Sequence, residues 1–124
     1  MTKYADNAVL DAPLLAIASR ASRLVALSAP VTAYDGIAAA TLGSCPMAAA
    51  DFSPPVDDPI AGRRMNVAAK EIVSSAGGGL NHHALVDDAI GVVLWLTEVA
   101  NDQAVITGRM LRFAAWAISF RPPV

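Results

Sequence analysis

The chain has 124 residues, with nine basic and eleven acidic side chains and a formal net charge of −2. This length fits one domain, and the lack of any block of like charge argues against a nucleic-acid binder and a membrane-surface protein. Every uncharged stretch, including Ala89–Thr97, is shorter than the roughly 18–20 residues that cross a bilayer, and Asp6 and Asp11 interrupt any signal-like apolar run.

The composition is apolar for a soluble domain. Hydrophobic residues make up 55% of the chain and charged residues only 16%, where about 25% charged is usual. We expect part of this apolar surface to be buried against other subunits, because exposed apolar patches usually mark contact sites. The single cysteine, Cys45, cannot form an internal disulfide and is interpreted as a small, half-buried apolar residue.

The chain opens with a polar stretch, Met1–Asn7, which predicts a loose arm preceding a single domain of residues 8–124. Ala8–Ser22 is predicted to be a helix, because apolar residues recur at spacings of three and four. Asp11 followed by Pro13 could instead mark the helix start. The predicted apolar stripe consists of Val9, Leu10, Leu14, Ile17, Ala18 and Ala21.

The next segments are short and interrupted by proline. Arg23–Ser28 predicts a first strand, and Thr32–Thr41 a short helix closed by Gly43. Cys45–Gly62 contains four prolines, which cannot donate to a sheet ladder, so it is predicted to be extended edge or loop structure. A loop this long is typically functional or wraps a neighbouring molecule.

The second half is strand-rich. Arg64–Lys70 alternates in polarity, which predicts a half-buried strand, and Glu71–Ser75 either continues it or pairs back. Ile90–Glu98 is apolar on both faces, which predicts a central strand. Further predicted strands are Leu80–Val86, Ala104–Ile106 and Leu111–Phe120, and predicted turns are Gly77–Gly79, Asp87-Asp88, Asn101-Asp102 and Thr107-Gly108.

This spacing of turns favours a sandwich or barrel over a βαβ fold. We therefore predict a mainly β fold: a β-sandwich-like domain with an N-terminal α-helix packed against it, with α+β by content as the alternative.

His82 and His83, followed by Asp87 and Asp88, come closest to a metal-ligand pattern. Neighbouring residues on a strand point to opposite faces, and His83 and Asp87 would lie about 13 Å apart along a strand. They are therefore predicted to be ordinary strand and turn residues, with metal binding or a contact surface as alternatives.

The remaining polar groups also predict no reaction. Gly77–Gly79 is followed by neither a Lys-Ser/Thr pair nor a predicted helix, so it indicates a turn and not a phosphate loop. Asp51, Asp57 and Asp58 lie in the proline-rich segment, where carboxylates stay solvated. We predict no enzymatic activity and no cofactor.

Four large side chains are open to two interpretations. Trp95 and Trp116 are predicted to be core residues, with an interface anchor as the alternative, a role in which Trp is enriched. Arg63-Arg64 is predicted to be a solvated strand start, or else one side of an ion pair across a subunit boundary.

Several segments from about residue 8 to 122 carry a further signal in their order and spacing. They are Ala8–Asp11 leading through Leu14-Leu15 to Ser22–Leu24, Pro30–Tyr34 with Thr41–Gly43, Gly62–Ala69, Asn81–Asp87 and Ala104–Gly108. Together they resemble a family of small tailed-phage and prophage virion proteins encoded near capsid genes. This chain departs from the family in having Ala and Trp where Ser and Thr are usual in the final strands, and two histidines in Asn81–Asp87 where one is usual.

The resemblance implies a virion component that is made in the host bacterial cytoplasm, most directly a capsid decoration, or cement, protein. Its expected partners are the major capsid protein and other copies of itself, with no nucleic acid, membrane or small-molecule substrate. A head–tail connector, tail or fibre component is the alternative. The residues predicted to contact partners are Tyr4, Pro46, Phe52, Pro54, Pro55, Arg63, Arg64 and Trp116.

Overall fold

The computed structural model of the chain describes residues 5–120, except the side chains at positions 100 and 101. It confirms a mainly β fold with an N-terminal helix and antiparallel sheets. The helices are α1 (Asn7–Arg20) and α2 (Ile37–Ala40), and the strands are β1 (Arg23–Leu27), β2 (Thr41–Pro46), β3 (Val56–Asp57), β4 (Arg63–Val67), β5 (Lys70–Val73), β6 (Gly78–Asp87), β7 (Val92–Val105), β8 (Met110–Phe113) and β9 (Trp116–Phe120).

Within residues 5–120, the strands form three antiparallel sheets. The largest has the order β2-β1-β6-β7, the second β3-β4-β9, and the third consists of β5 and β8. Gly43 lies so close to β5 that an added Cβ would approach Ile72 Cγ2 to 2.7 Å. The amide of Ser75 donates to the Leu42 carbonyl at 2.7 Å, so the large sheet and the β5–β8 pair are joined at this point.

Helix α1 covers one side of the core. The carboxylate of Asp6 caps it by accepting from the Ala8 amide at 3.0 Å, and the helix ends where the Ala21 amide donates to the Ile17 carbonyl. Leu14 and Ile17 are buried, whereas Val9 is 64% exposed, so Val9 was wrongly assigned to the buried stripe. Pro13 lies inside the helix and does not mark its start.

The large sheet is buried on both faces. Its inner face packs against α1 and the other two sheets in a main core that includes Leu24, Leu85, Met65 and Ile118. Its outer face carries a smaller cluster, covered by the segment that contains α2. That cluster consists of Val25, Leu27, Ile37, Ala40, Ala84 and Val86.

Several predicted elements differ from the structure. Strand β7 was predicted to be central but lies at the edge of its sheet. It is apolar on both faces because Leu94 and Trp95 join the main core while Val93 and Leu96 join the outer cluster. The predicted turn at positions 101 and 102 lies within β7, and the predicted strand Leu111–Phe120 is broken at positions 114 and 115.

The stretch before β4 also differs. Residues predicted as helix end and loop start form β2, and the predicted strand Arg64–Lys70 ends at Val67. The chain turns there because the Ala68 amide donates to the Asp51 carbonyl at 2.8 Å and Lys70 pairs with the Asp51 carboxylate at 2.8 Å. In residues 5–120, no helix is long and apolar enough to cross a membrane.

Candidate interaction site

A groove between α1 and the proline-rich segment is the first candidate site. The segment is held against β4: Phe52 bridges to Val67, the Ser53 amide donates to the Asn66 carbonyl at 2.9 Å, and the Asn66 amide donates back to Ser53 Oγ at 2.8 Å. Phe52 and β3 therefore form an extended edge beside β4, one of the two predicted conformations, whereas Ala49–Asp51 form a turn of 3₁₀ helix.

The groove has a volume of about 630 Å³ and contains no charged side chain. Leu15, at its rim, is 53% exposed, whereas Phe52 is buried at its base. We call this feature the α1 groove. Its lining residues are Ala12, Leu15, Ala16, Ala18, Ser19, Ala49, Phe52, Ser53, Pro54 and Pro55.

Arg63 fixes the helix relative to the proline-rich segment. Its Nε donates to Asp11 Oδ1 and its Nη1 to Asp57 Oδ1, each at 2.8 Å, and its Nη2 donates to the Pro55 carbonyl at 3.1 Å. The Asp11 and Asp57 carboxylates raise the pKa of the guanidinium further above its usual range. One side chain thus joins α1, β3 and the chain that leads into β3.

The predicted contact residues fall into separate places. Phe52, Pro54 and Pro55 line the α1 groove, and Pro46 is exposed at the end of β2. Arg64 is half-buried, and its Nε is shielded from solvent without a hydrogen-bond partner. Tyr4 lies outside the described residues, and Trp116 belongs to a second cavity.

The second cavity lies between the irregular part of β7 and the break that separates β8 from β9. It has a volume of about 430 Å³. We call it the aromatic cavity. Its lining residues are Leu80, His83, Glu98, Val99, Gln103, Leu111, Arg112, Phe113, Ala114, Ala115 and Trp116.

His83 is the most unusual residue of the aromatic cavity. Its side chain packs against the rings of Trp116 and Phe113, with ring centroids 4.9 and 5.4 Å apart. The residue is only 8% exposed, and neither ring nitrogen has a hydrogen-bond partner; the same is true of Trp116 Nε1. Burial, and to a lesser extent the nearby His82, lower the pKa of His83, so its imidazole is neutral at pH 7.

The remaining polar residues of this region have structural partners. Asp88 accepts hydrogen bonds from Ser22, Arg23 and Tyr34, which lower the pKa of its carboxyl group to about 2, with Arg23 contributing most. Asp87 pairs with Arg20 at 3.2 Å. Within the described part of the chain, no group of three or more His, Cys, Asp or Glu side chains could hold a metal ion.

Cys45 is half-buried, and burial raises the pKa of its thiol. It therefore lacks the thiolate character of a reactive cysteine.

Sequence reasoning missed two contributions to these sites. Leu15, at the rim of the α1 groove, lies outside the predicted apolar stripe of α1. The one available signal for its role was that a large apolar residue stands outside that stripe. In the predicted continuous strand Leu111–Phe120, Phe113 and Trp116 would point to opposite faces, yet both contact His83 because the strand is broken between them.

Comparison of the chain with protein-family models, curated proteins and solved structures finds no match.

Proposed function

We propose that this chain is a structural virion protein of a tailed phage, a capsid decoration protein that binds the outer capsid surface and stabilises contacts between capsomers. The observation that carries the proposal is the uncharged α1 groove. Its place beside exposed large apolar side chains is typical of a surface that another chain covers. The sequence resemblance to phage virion proteins supports the same role.

The apolar surface around the groove extends the contact area. Val9 and Leu15 on α1 are 64% and 53% exposed, and Val56 and Ile60, within the proline-rich segment, are 42% and 78% exposed. Covering such side chains removes apolar surface from water, at about 25 cal/mol per Å². The binding free energy from these few side chains is modest for one copy, and repetition over a symmetric lattice supplies avidity.

The mechanism needs no chemistry beyond binding. A chain that binds the assembled lattice and not the separate capsomers stabilises the lattice by mass action. The groove is prepared for such binding because Arg63 holds both of its walls in place through ion pairs and a backbone hydrogen bond. A preformed surface loses less conformational entropy when it binds.

Copy number tests the proposal directly. Quantitative mass spectrometry of purified particles is expected to find hundreds of copies, as a decoration protein requires. A handful of copies or a few rings would instead favour the connector, tail or fibre alternative, and particles without the chain would overturn a virion role.

Binding of the purified chain to capsids that lack it tests the groove. Leu15→Asp is expected to weaken binding by at least about tenfold, because it places a charge in a contact that excludes water. Ile90→Asp is the matched control, since Ile90 is 64% exposed and lies outside the groove. Equal affinity of the two variants would contradict this use of the groove.

A further inference from the structure

The aromatic cavity combines a ligand-sized volume with buried polar atoms that lack partners. Pockets of about 300–1,000 Å³ are typical for small ligands, and this one has about 430 Å³. Buried polar groups are nearly always hydrogen-bonded, so each exception calls for an explanation. His83 is more than nine-tenths buried, yet neither of its ring nitrogens has a hydrogen-bond partner, and Trp116 Nε1 also has none.

The local structure opens this cavity on two sides. After an earlier register shift between Leu85 and Val86, strand β7 pairs with β6 as far as Glu98, opposite His82. Pairing resumes at Gln103, opposite Leu80, so that extra residues of β7 loop out between these two points. Irregular strand segments of this kind re-aim side chains and are frequent beside binding sites. Opposite them, Ala114 and Ala115 separate β8 from β9, and their small side chains leave space beside Phe113 and Trp116.

The charges around the cavity favour a cation. Glu98 is exposed and forms no ion pair with any residue in the range 5–120, whereas Arg112 is paired with Glu71 at 3.4 Å. Neutral His83 adds no positive charge, and its unprotonated nitrogen can accept a hydrogen bond from an ammonium or guanidinium N–H. The other ring nitrogen of His83 and Trp116 Nε1 are donors, which a hydroxyl or carbonyl oxygen of the same ligand can satisfy. The faces of Phe113 and Trp116 carry the negative part of the ring quadrupole, which attracts ammonium and guanidinium groups.

We infer that the aromatic cavity binds an organic cation, an alkylammonium or guanidinium group, between Phe113 and Trp116 with Glu98 as its counter-ion. Such a group is carried by free methylated amines and by the lysine or arginine side chains of another protein. The site is separate from the α1 groove, and it does not depend on the proposed virion role.

Fluorine NMR of the 5-fluorotryptophan-labelled chain tests the inference, because the protein has two tryptophans and only Trp116 lines the cavity. Choline is expected to shift the Trp116 resonance saturably while the Trp95 resonance stays unchanged; a Trp95→Phe variant assigns the two signals. The control ligand is 3,3-dimethylbutan-1-ol, the uncharged carbon analogue of choline. N-acetyl-arginine amide and N-acetyl-lysine amide stand in for protein side chains.

The ranking of the probes identifies the source of the cation. Tighter binding of choline indicates a free methylated amine, and tighter binding of the two amides indicates a protein side chain; either ranking supports the cation site. Equal binding of choline and its uncharged analogue, or no saturable shift with any of the cations, would overturn it.

Three variants test the assigned roles. Glu98→Gln is expected to weaken cation binding roughly fivefold, as one partly screened charge contact predicts, and Phe113→Leu roughly 3- to 10-fold, through loss of one ring face. Arg112→Gln is expected to tighten binding, because it removes a positive charge from the cavity wall. Asp102→Asn, an exposed change on the same strand outside the cavity, is the control; an effect equal to that of Glu98→Gln would contradict the counter-ion role.

Discussion

His83 is the residue at which burial and polarity conflict most. Its imidazole packs against two aromatic rings but makes no hydrogen bond. An unsatisfied buried polar group costs about 1–3 kcal/mol, and replacing it with an apolar residue of similar shape can be stabilising. The structure thus maintains a group that packing alone does not require, which agrees with a binding role for the aromatic cavity.

The same burial predicts how stability depends on pH. The pKa of His83 is lowered in the folded state, so below about pH 6.5 the unfolded chain takes up the proton first. The contribution of His83 to the free energy of unfolding is therefore fully present at neutral pH and is lost as the pH falls from about 6.5 toward the lowered pKa. In this range the free energy of unfolding changes by at most about 1.4 kcal/mol per pH unit. His82, Glu98 and Arg112 are the charged or titratable neighbours.

We expect the free energy of unfolding of His83→Leu to be about 1 kcal/mol higher than that of the natural chain at pH 7, and we expect the variant to lose the dependence of stability on pH just below pH 6.5. Urea unfolding at several pH values measures both effects. Asp88, Asp51 and Asp58 have lowered pKa values, so their contributions change only at lower pH. An unaltered slope in the variant would show that another group is responsible.

At the scale of elements, the approach of β2 to β5 joins two sheets. A Cβ added at Gly43 would lie 2.7 Å from Ile72 Cγ2 and 3.0 Å from the Val73 carbonyl oxygen, and the latter is backbone that cannot easily move. Glycine is therefore needed for close packing at Gly43. At Gly79, on β6, an added Cβ would meet nothing within 4 Å.

We expect Gly43→Ala to destabilise the domain by about 1–3 kcal/mol through overpacking. Gly79→Ala is expected to leave stability the same or slightly higher, because alanine loses less backbone entropy on folding. Thermal unfolding of the two variants, followed by circular dichroism, measures the difference. If both variants melted together, the contact between β2 and β5 would not be as close as described.

At the scale of the whole molecule, local patterns in the sequence predicted the helices and strands better than they predicted which of these elements lie side by side. The spacing of apolar residues placed α1 to within two residues of its observed bounds, and the turn signals on either side placed the strand at Leu80–Val86, which forms the middle of β6. The edge position of β7 could not be predicted in this way, because apolar residues on both faces are usual for a central strand. Here they result from two hydrophobic clusters on opposite faces of the sheet.

The candidate sites were only partly predictable for the same reason. Phe52, Pro54 and Pro55 were identified from the proline-rich segment, but the α1 side of their groove depends on how the helix packs on β4 and β9. Trp116 was predicted to be a core residue or, as the alternative, an interface anchor, whereas its partners His83 and Phe113 are brought to it by strand pairing and by the break after β8. Neither arrangement leaves a local sequence pattern.

The two hydrophobic clusters share the large sheet, and this predicts cooperative unfolding. Ile72 is 1% exposed in the main core and Ile37 is 3% exposed in the outer cluster. We expect Ile72→Ala and Ile37→Ala each to cost about 2–5 kcal/mol. Because loss of either cluster exposes one face of the same strands, unfolding should remain a single transition in both variants.

Tryptophan fluorescence reports on the main core, to which Trp95 and Trp116 belong, and far-UV circular dichroism reports on the whole backbone. Coincident urea transitions by the two methods are the expected result, and an earlier circular dichroism transition in Ile37→Ala would show that the outer cluster unfolds independently.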